Sequence, residues 1–144
     1  MSKYRFEVLH PYTIISKWEE LLPHIERIVK KNNEEFTTES IKGRAVSGNG
    51  LMIAIYDGDS IVAVATVEVV VYDSGLRSLL IPVLVGAEVV GWGEELLGLC
   101  KDIAVQLSCT ELRAMSIRNG WMKLLKDFGW QEKHAVIVMS LEDK

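Results

Sequence analysis

Residues 77–107 read "RSLLIPVLVGAEVVGWGEELLGLCKDIAVQL", an apolar run, two closely spaced glycines and then a run of a different period. The first part, Arg77 to Val85, is rich in aliphatic and β-branched residues and has strand character. Beyond the glycines, Leu96, Cys100, Ile103 and Leu107 recur on one helical row, with Leu97 and Ala104 beside it. "ELRAMSI" (Glu111 to Ile117) follows as a second strand. A helix that joins two strands implies a parallel crossover, because parallel strands cannot be linked by a tight turn.

Upstream, "LMIAIY" (51–56) and "SIVAVATVEVVVY" (60–72) precede Arg77 with turn signals at Asp57-Gly58-Asp59 and Asp73-Ser74-Gly75. These three runs form an antiparallel meander. The middle run is apolar on both faces over much of its length, so each side of the sheet needs a cover. Pro82 cannot donate to a ladder, which places an edge, bulge or splay in the third run.

Towards the N-terminus, "YRFEV" alternates its bulky residues as a half-buried strand does. Ser16 and Glu19 have the spacing of a capping box. Behind them Trp18, Leu21, Leu22, Ile25, Ile28 and Val29 lie on one helical stripe, with Pro23 expected to kink it. Thr37 to Val46 reads as a second short helix and Ser47 to Gly50 as a loop. At the other end "NGWMKLLKDFGW" is a helix stopped by Gly129, and "QEKHAVIVMSL" (131–141) alternates as a last strand. The expected order is β-α-α-β-β-β-α-β-α-β, a mixed α/β sheet with helices on both faces, in a single domain over residues 1–144.

Composition limits the functions open to this fold. Of 144 residues, 49% are hydrophobic and 25% charged, the mixture of a globular protein. A net charge of −4, with Lys30-Lys31 the only basic pair, gives no footprint for nucleic acid. The nearly uncharged run from Ile61 to Tyr72 is interrupted by Glu68 and too short to span a bilayer. Cys100 and Cys109 make neither a disulfide framework nor a metal-ligand spacing, and a reducing compartment is expected. "MSKYRFEV" has no signal-peptide core, which points to the cytoplasm.

The element order with a glycine loop before the third helix resembles the GNAT superfamily of N-acetyltransferases. In that family the loop runs Arg/Gln-x-x-Gly-x-Gly/Ala, and it falls here on Glu88-Val-Val-Gly91-Trp92-Gly93. "IRNGWMKLLKDFGW" further resembles a stretch in GNAT-like proteins encoded by tailed bacteriophages. The resemblance implies acetyl transfer from acetyl-CoA, as co-substrate, to an amine on a small molecule or a protein. It implies pantetheine contacts from the backbone of Leu84, Val85 and Gly86. Pyrophosphate contacts would come from Gly91, Trp92, Gly93 and Glu94, with Arg118 close to the cofactor cleft. No metal is implied.

Two positions depart from the family. Glu88 stands where a cation or neutral polar group is preferred. A like charge near a phosphate costs about 1 kcal/mol in water and about 4 kcal/mol at an effective dielectric of 20. A helix end returns only ~0.3–1 kcal/mol when exposed. Leu125 takes the place of the family's acid tyrosine and has no proton to give. Glu68 is the only carboxylate inside the meander, read first as a solvated face and second as a base. Tyr56, Tyr72 and His134 are candidates without a placement, and no catalytic residue is assigned. The alternative function is a non-catalytic phage protein, virion-associated or binding a host protein, located in the host cytoplasm or the virion. A homodimer is a further open partner.

Overall fold

A computed structural model describes residues 3–32, 36–84, 89–117, 119–133 and 137–141. Five strands form one sheet in the order β1-β2-β3-β4-β5. β1 (Tyr4–Val8), β2 (Leu51–Asp57), β3 (Ser60–Val71) and β4 (Arg77–Leu84) pair antiparallel in sequence, and β5 (Glu111–Ile117) lies parallel to β4. The crossover between the parallel strands is α4 (Val89–Gln106). The expected mixed α/β class, with its meander and single parallel crossover, is what the chain adopts.

Strand alternation splits the core into two layers. On one face Ile53, Ile55, Ala65, Leu79 and Ile81 pack against Trp92, Leu96 and Cys100 of α4. Trp121 and Leu125 of α5 (Asn119–Asp127) complete that layer. On the other face Met52, Ala54, Tyr56 and Val64 pack under α1 (Pro11–Ser16), α2 (Trp18–Asn32) and α3 (Thr38–Ser47).

Local chemistry sets several element ends. Thr37 caps α3, and its hydroxyl accepts from the Ser40 amide while Ser40 Oγ accepts from the Thr37 amide. Gly129 takes the left-handed conformation at φ +88°, ending α5. Pro82 breaks both of its ladders: β3 and β4 pair only from Glu68↔Leu80 to Val71↔Arg77, and the β4–β5 register skips it.

Three expectations change. Ser16 does not open a helix; it ends α1, its hydroxyl donating to the Thr13 carbonyl at 3.2 Å. The start of α1 is set instead by His10, whose Nδ1 accepts from the Tyr12 amide, and by Pro11 in the first turn. The glycines expected in a loop lie inside α4, which already begins at Val89. The last strand expected over 131–141 is not formed at Gln131–Lys133 or Ile137–Leu141. Both stretches are exposed, and strand geometry needs a paired neighbour that neither has among the described residues. Residues 134–136 lie outside the described residues.

Candidate functional site

Two places carry polar chemistry: the N-terminus of α4 and the sheet face beside α3. At the first, helix geometry gives the earliest amides, those of Val89, Val90 and Gly91, no partner within the helix. Those of Trp92, Gly93 and Glu94 enter the intrahelical ladder. The amides left over by the helix therefore lie at 89–91, against the 91–94 expected for the loop.

Gly91 has a packing reason. A Cβ there would sit 3.0 Å from Tyr4 Oη and 3.3 Å from its Cε2, so the glycine lets β1 approach α4. Trp92 is 3% exposed and meets Trp121 edge-to-face, with ring centroids 5.8 Å apart. Its side chain belongs to the core. Glu94 and Glu95 are exposed and lie beyond the first turn. Leu84 ends β4 with its backbone opposite Ile117. Val85, Gly86, Glu88 and Arg118, like His134, lie outside the described residues.

For acetyl-CoA, the co-substrate implied by the resemblance, the α4 N-terminus fits a diphosphate in donor type and dipole sign. A second unmet donor lies close by. Trp121 is 1% exposed and its Nε1 has no acceptor among the described residues.

On the opposite face, Glu68 is not solvated as first read. Its side chain is 21% exposed and accepts from Arg44 Nη1 at 3.1 Å, while the Arg44 guanidinium lies over the Phe36 ring. The pair borders a cavity of about 20 Å³, bounded by Gly50, Leu51, Thr66 and Pro82, where β3 and β4 part. That is room for about one water.

Further along the same face, Ser78 Oγ donates to Glu111 Oε2 at 2.5 Å, and Arg113 Nε donates to the same oxygen. Arg113 also stacks over Tyr72, 4.4 Å from the ring centre. The Ser78 hydroxyl and then the Arg113 guanidinium hold the Glu111 carboxyl below its usual range. The sequence reading missed this cluster. Its signal was polar residues at alternate positions, Glu111 and Arg113, in an otherwise apolar strand.

The remaining candidates are spoken for. Tyr56 is buried beneath the Arg5 and Lys17 cations, with its hydroxyl unpaired among the described residues. Leu125 is 3% exposed in the core. Burial pushes the Cys100 thiol up to about 12, which removes it as a nucleophile. Among the described residues no His, Cys, Asp or Glu group is placed to hold a metal ion, and no helix is long and apolar enough to cross a membrane.

No protein-family model and no curated protein sequence matches the chain. Solved structures do. An aminoglycoside acetyltransferase from an uncultured soil metagenomic sample, in complex with sisomicin, superposes with a TM-score of 0.70 at 14% identity, over 98% of this chain and 97% of that one. A ribosomal-protein-alanine N-acetyltransferase from Brucella melitensis biovar Abortus 2308 gives 0.70 at 14%, over 95% and 99%. An acetyltransferase from Clostridium acetobutylicum, solved with acetyl-CoA, gives 0.71 at 11%, over 96% of each chain. The fold is that of the GNAT acetyltransferases.

Proposed function

We propose that this protein is an acyl-CoA-dependent N-acyltransferase that moves acetyl from acetyl-CoA to an amine. The observation that carries the reading is a GNAT fold whose crossover helix starts at Val89, with the amides of Val89–Gly91 outside its own ladder. Those amides receive the diphosphate. Acetyl-CoA supplies an activated thioester; the amine forms the new C–N bond as the C–S bond breaks.

The amine must lose a proton, and in this reading Glu68 takes it, directly or through a water at the small cavity where β3 and β4 part. Arg44 orients that carboxylate through its hydrogen bond at 3.1 Å. The departing thiolate takes its proton from solvent, because Leu125 occupies the position of the family's acid. The acceptor is a small-molecule or protein amine.

Burial of Leu125 also favours the second reading, a non-catalytic module bound to a phage or host protein. Calorimetric titration separates the two. Acetyl-CoA is expected to bind in the micromolar range, and acetyl-pantetheine, which lacks the diphosphate, at least about tenfold more weakly. No heat with either ligand up to millimolar concentration rejects the enzyme.

A further inference from the structure

The start of α4 lacks the charge that an acyl-CoA site needs. Its first turn reads Val89-Val90-Gly91-Trp92 and carries no charged side chain, and the chain as a whole is at −4. A diphosphate is multiply charged, and a helix end by itself returns little in water. The cation has to come from another element.

The sheet brings one there. β1, β2, β3 and β4 are antiparallel in succession, so the start of β1 and the end of β4 lie at one end of the sheet. Tyr4 opens β1 and packs with Phe6 against the α4 layer. Both rings serve the core, but only Tyr4 carries a hydroxyl, and it reaches the helix. Tyr4 Oη lies 3.0 Å from where a Cβ on Gly91 would stand. Glycine is costly inside a helix. At Gly91 it admits a polar atom to the first turn, beside the amides that lie outside the helical ladder.

Lys3 precedes this tyrosine. Its Nζ is 5.2 Å from the centre of the Tyr4 ring and 3.4 Å from Asp57 Oδ2. The side chains of that ion pair are 66% and 46% exposed, so solvent screens it and a more highly charged anion can replace Asp57. A buried donor adjoins the same turn. Trp121 is 1% exposed and meets Trp92, and its Nε1 has no acceptor among the described residues. Buried donors without an acceptor are rare in a filled site.

We infer that Lys3 and Tyr4 bind the diphosphate of the acyl donor. The Tyr4 hydroxyl donates to a phosphate oxygen at the first turn of α4, and the Lys3 ammonium leaves Asp57 to pair with the same group. This rests on the transferase reading above. The N-terminal strand thereby supplies the positive charge that the sequence denies at Glu88.

Calorimetric titration of the full chain with acetyl-CoA, its 3′-dephospho form and acetyl-pantetheine tests the assignment. Lys3→Gln and Tyr4→Phe should each weaken acetyl-CoA and the dephospho form by about tenfold and leave acetyl-pantetheine unchanged. Lys3→Gln should also flatten the salt dependence of acetyl-CoA binding. Lys30→Gln on α2, with the same change of net charge, should not. Thermal unfolding checks that the variants stay folded. No heat with acetyl-CoA in the unaltered chain rejects the transferase reading and this inference together. Binding that neither variant weakens overturns this inference alone, and so does a loss that acetyl-pantetheine shares. A loss confined to acetyl-CoA would put these residues on the 3′-phosphate and overturn the diphosphate assignment.

Discussion

The two faces of the sheet are built on different principles. Under α4 and α5 the layer is apolar from Ile53 to Trp121, and its polar atoms are incidental to large side chains. Under α1, α2 and α3 the apolar layer draws on Met52, Ala54, Tyr56 and Val64, and among the described residues takes nothing from β4 or β5. Beyond that layer Glu68, Ser78, Glu111 and Arg113 lie on the same face, Glu68 against Arg44 of α3 and the buried Ser78 against Glu111. The polar groups of this face are satisfied by one another or by Arg44 of α3. One face therefore supplies stability, and the other supplies groups that can titrate.

The largest effect should come from the apolar face. Trp121→Ala removes a side chain that is 1% exposed and in contact with Trp92. Substitutions of this type cost about 3–5 kcal/mol, a large part of a domain's stability. Trp121→Phe keeps the packing and deletes the unpaired indole N–H, so it should cost much less. Urea unfolding of both variants measures the difference. Equal costs would mean that the N–H has a partner and that the apolar description of this face is incomplete.

On the polar face the expected loss is smaller in stability and larger in activity. Arg44 and Glu68 are 36% and 21% exposed, so solvent screens them and their coupling should be about 0.5–1 kcal/mol in a double-mutant cycle. Glu68→Gln keeps the shape and removes the base. If the transferase reading holds, kcat should fall about 100-fold or more with little change in the unfolding midpoint. A stability loss as large as that of Trp121→Ala would make Glu68 a core residue and dissolve the contrast.

How much of this could be read from the chain depended on how local each signal was. The meander, the short helix after Thr37 and the Gly129 stop are written within a few residues, and each formed where expected. The start of α4 was misplaced because Gly91 and Gly93 carry loop propensity, whereas Gly91 serves a contact with Tyr4, far away in sequence. The apolar alternation after Lys133 was read as a strand, but alternation supplies only a face, and a strand also needs a partner. Glu111 finds Ser78 across 33 positions through the parallel register, which no local pattern encodes. The crossover helix itself was legible in outline, and its first residue was not.

The smallest effect discriminates the faces by pH. Burial, and then the neighbouring Arg27, lower the pKa of His24 on α2 below its ordinary 6.5. Its Nδ1 has no partner among the described residues. The unfolded chain therefore binds a proton that the folded one resists, so stability should decline as pH falls below 6.5. Glu111 acts in the same direction further down. Its carboxyl is held below the usual 4.5, so it stabilises the fold above that value and its contribution is lost as pH falls through the folded value. Both groups lie on the side of the sheet that carries α1, α2 and α3. The apolar face offers only Cys100, whose thiol at about 12 stays protonated throughout this range. His24→Gln should flatten the upper part of the acid limb in thermal unfolding, and Glu111→Gln the lower part. Conserved slopes in both variants would place the acid sensitivity elsewhere and remove the titrating role assigned to this face.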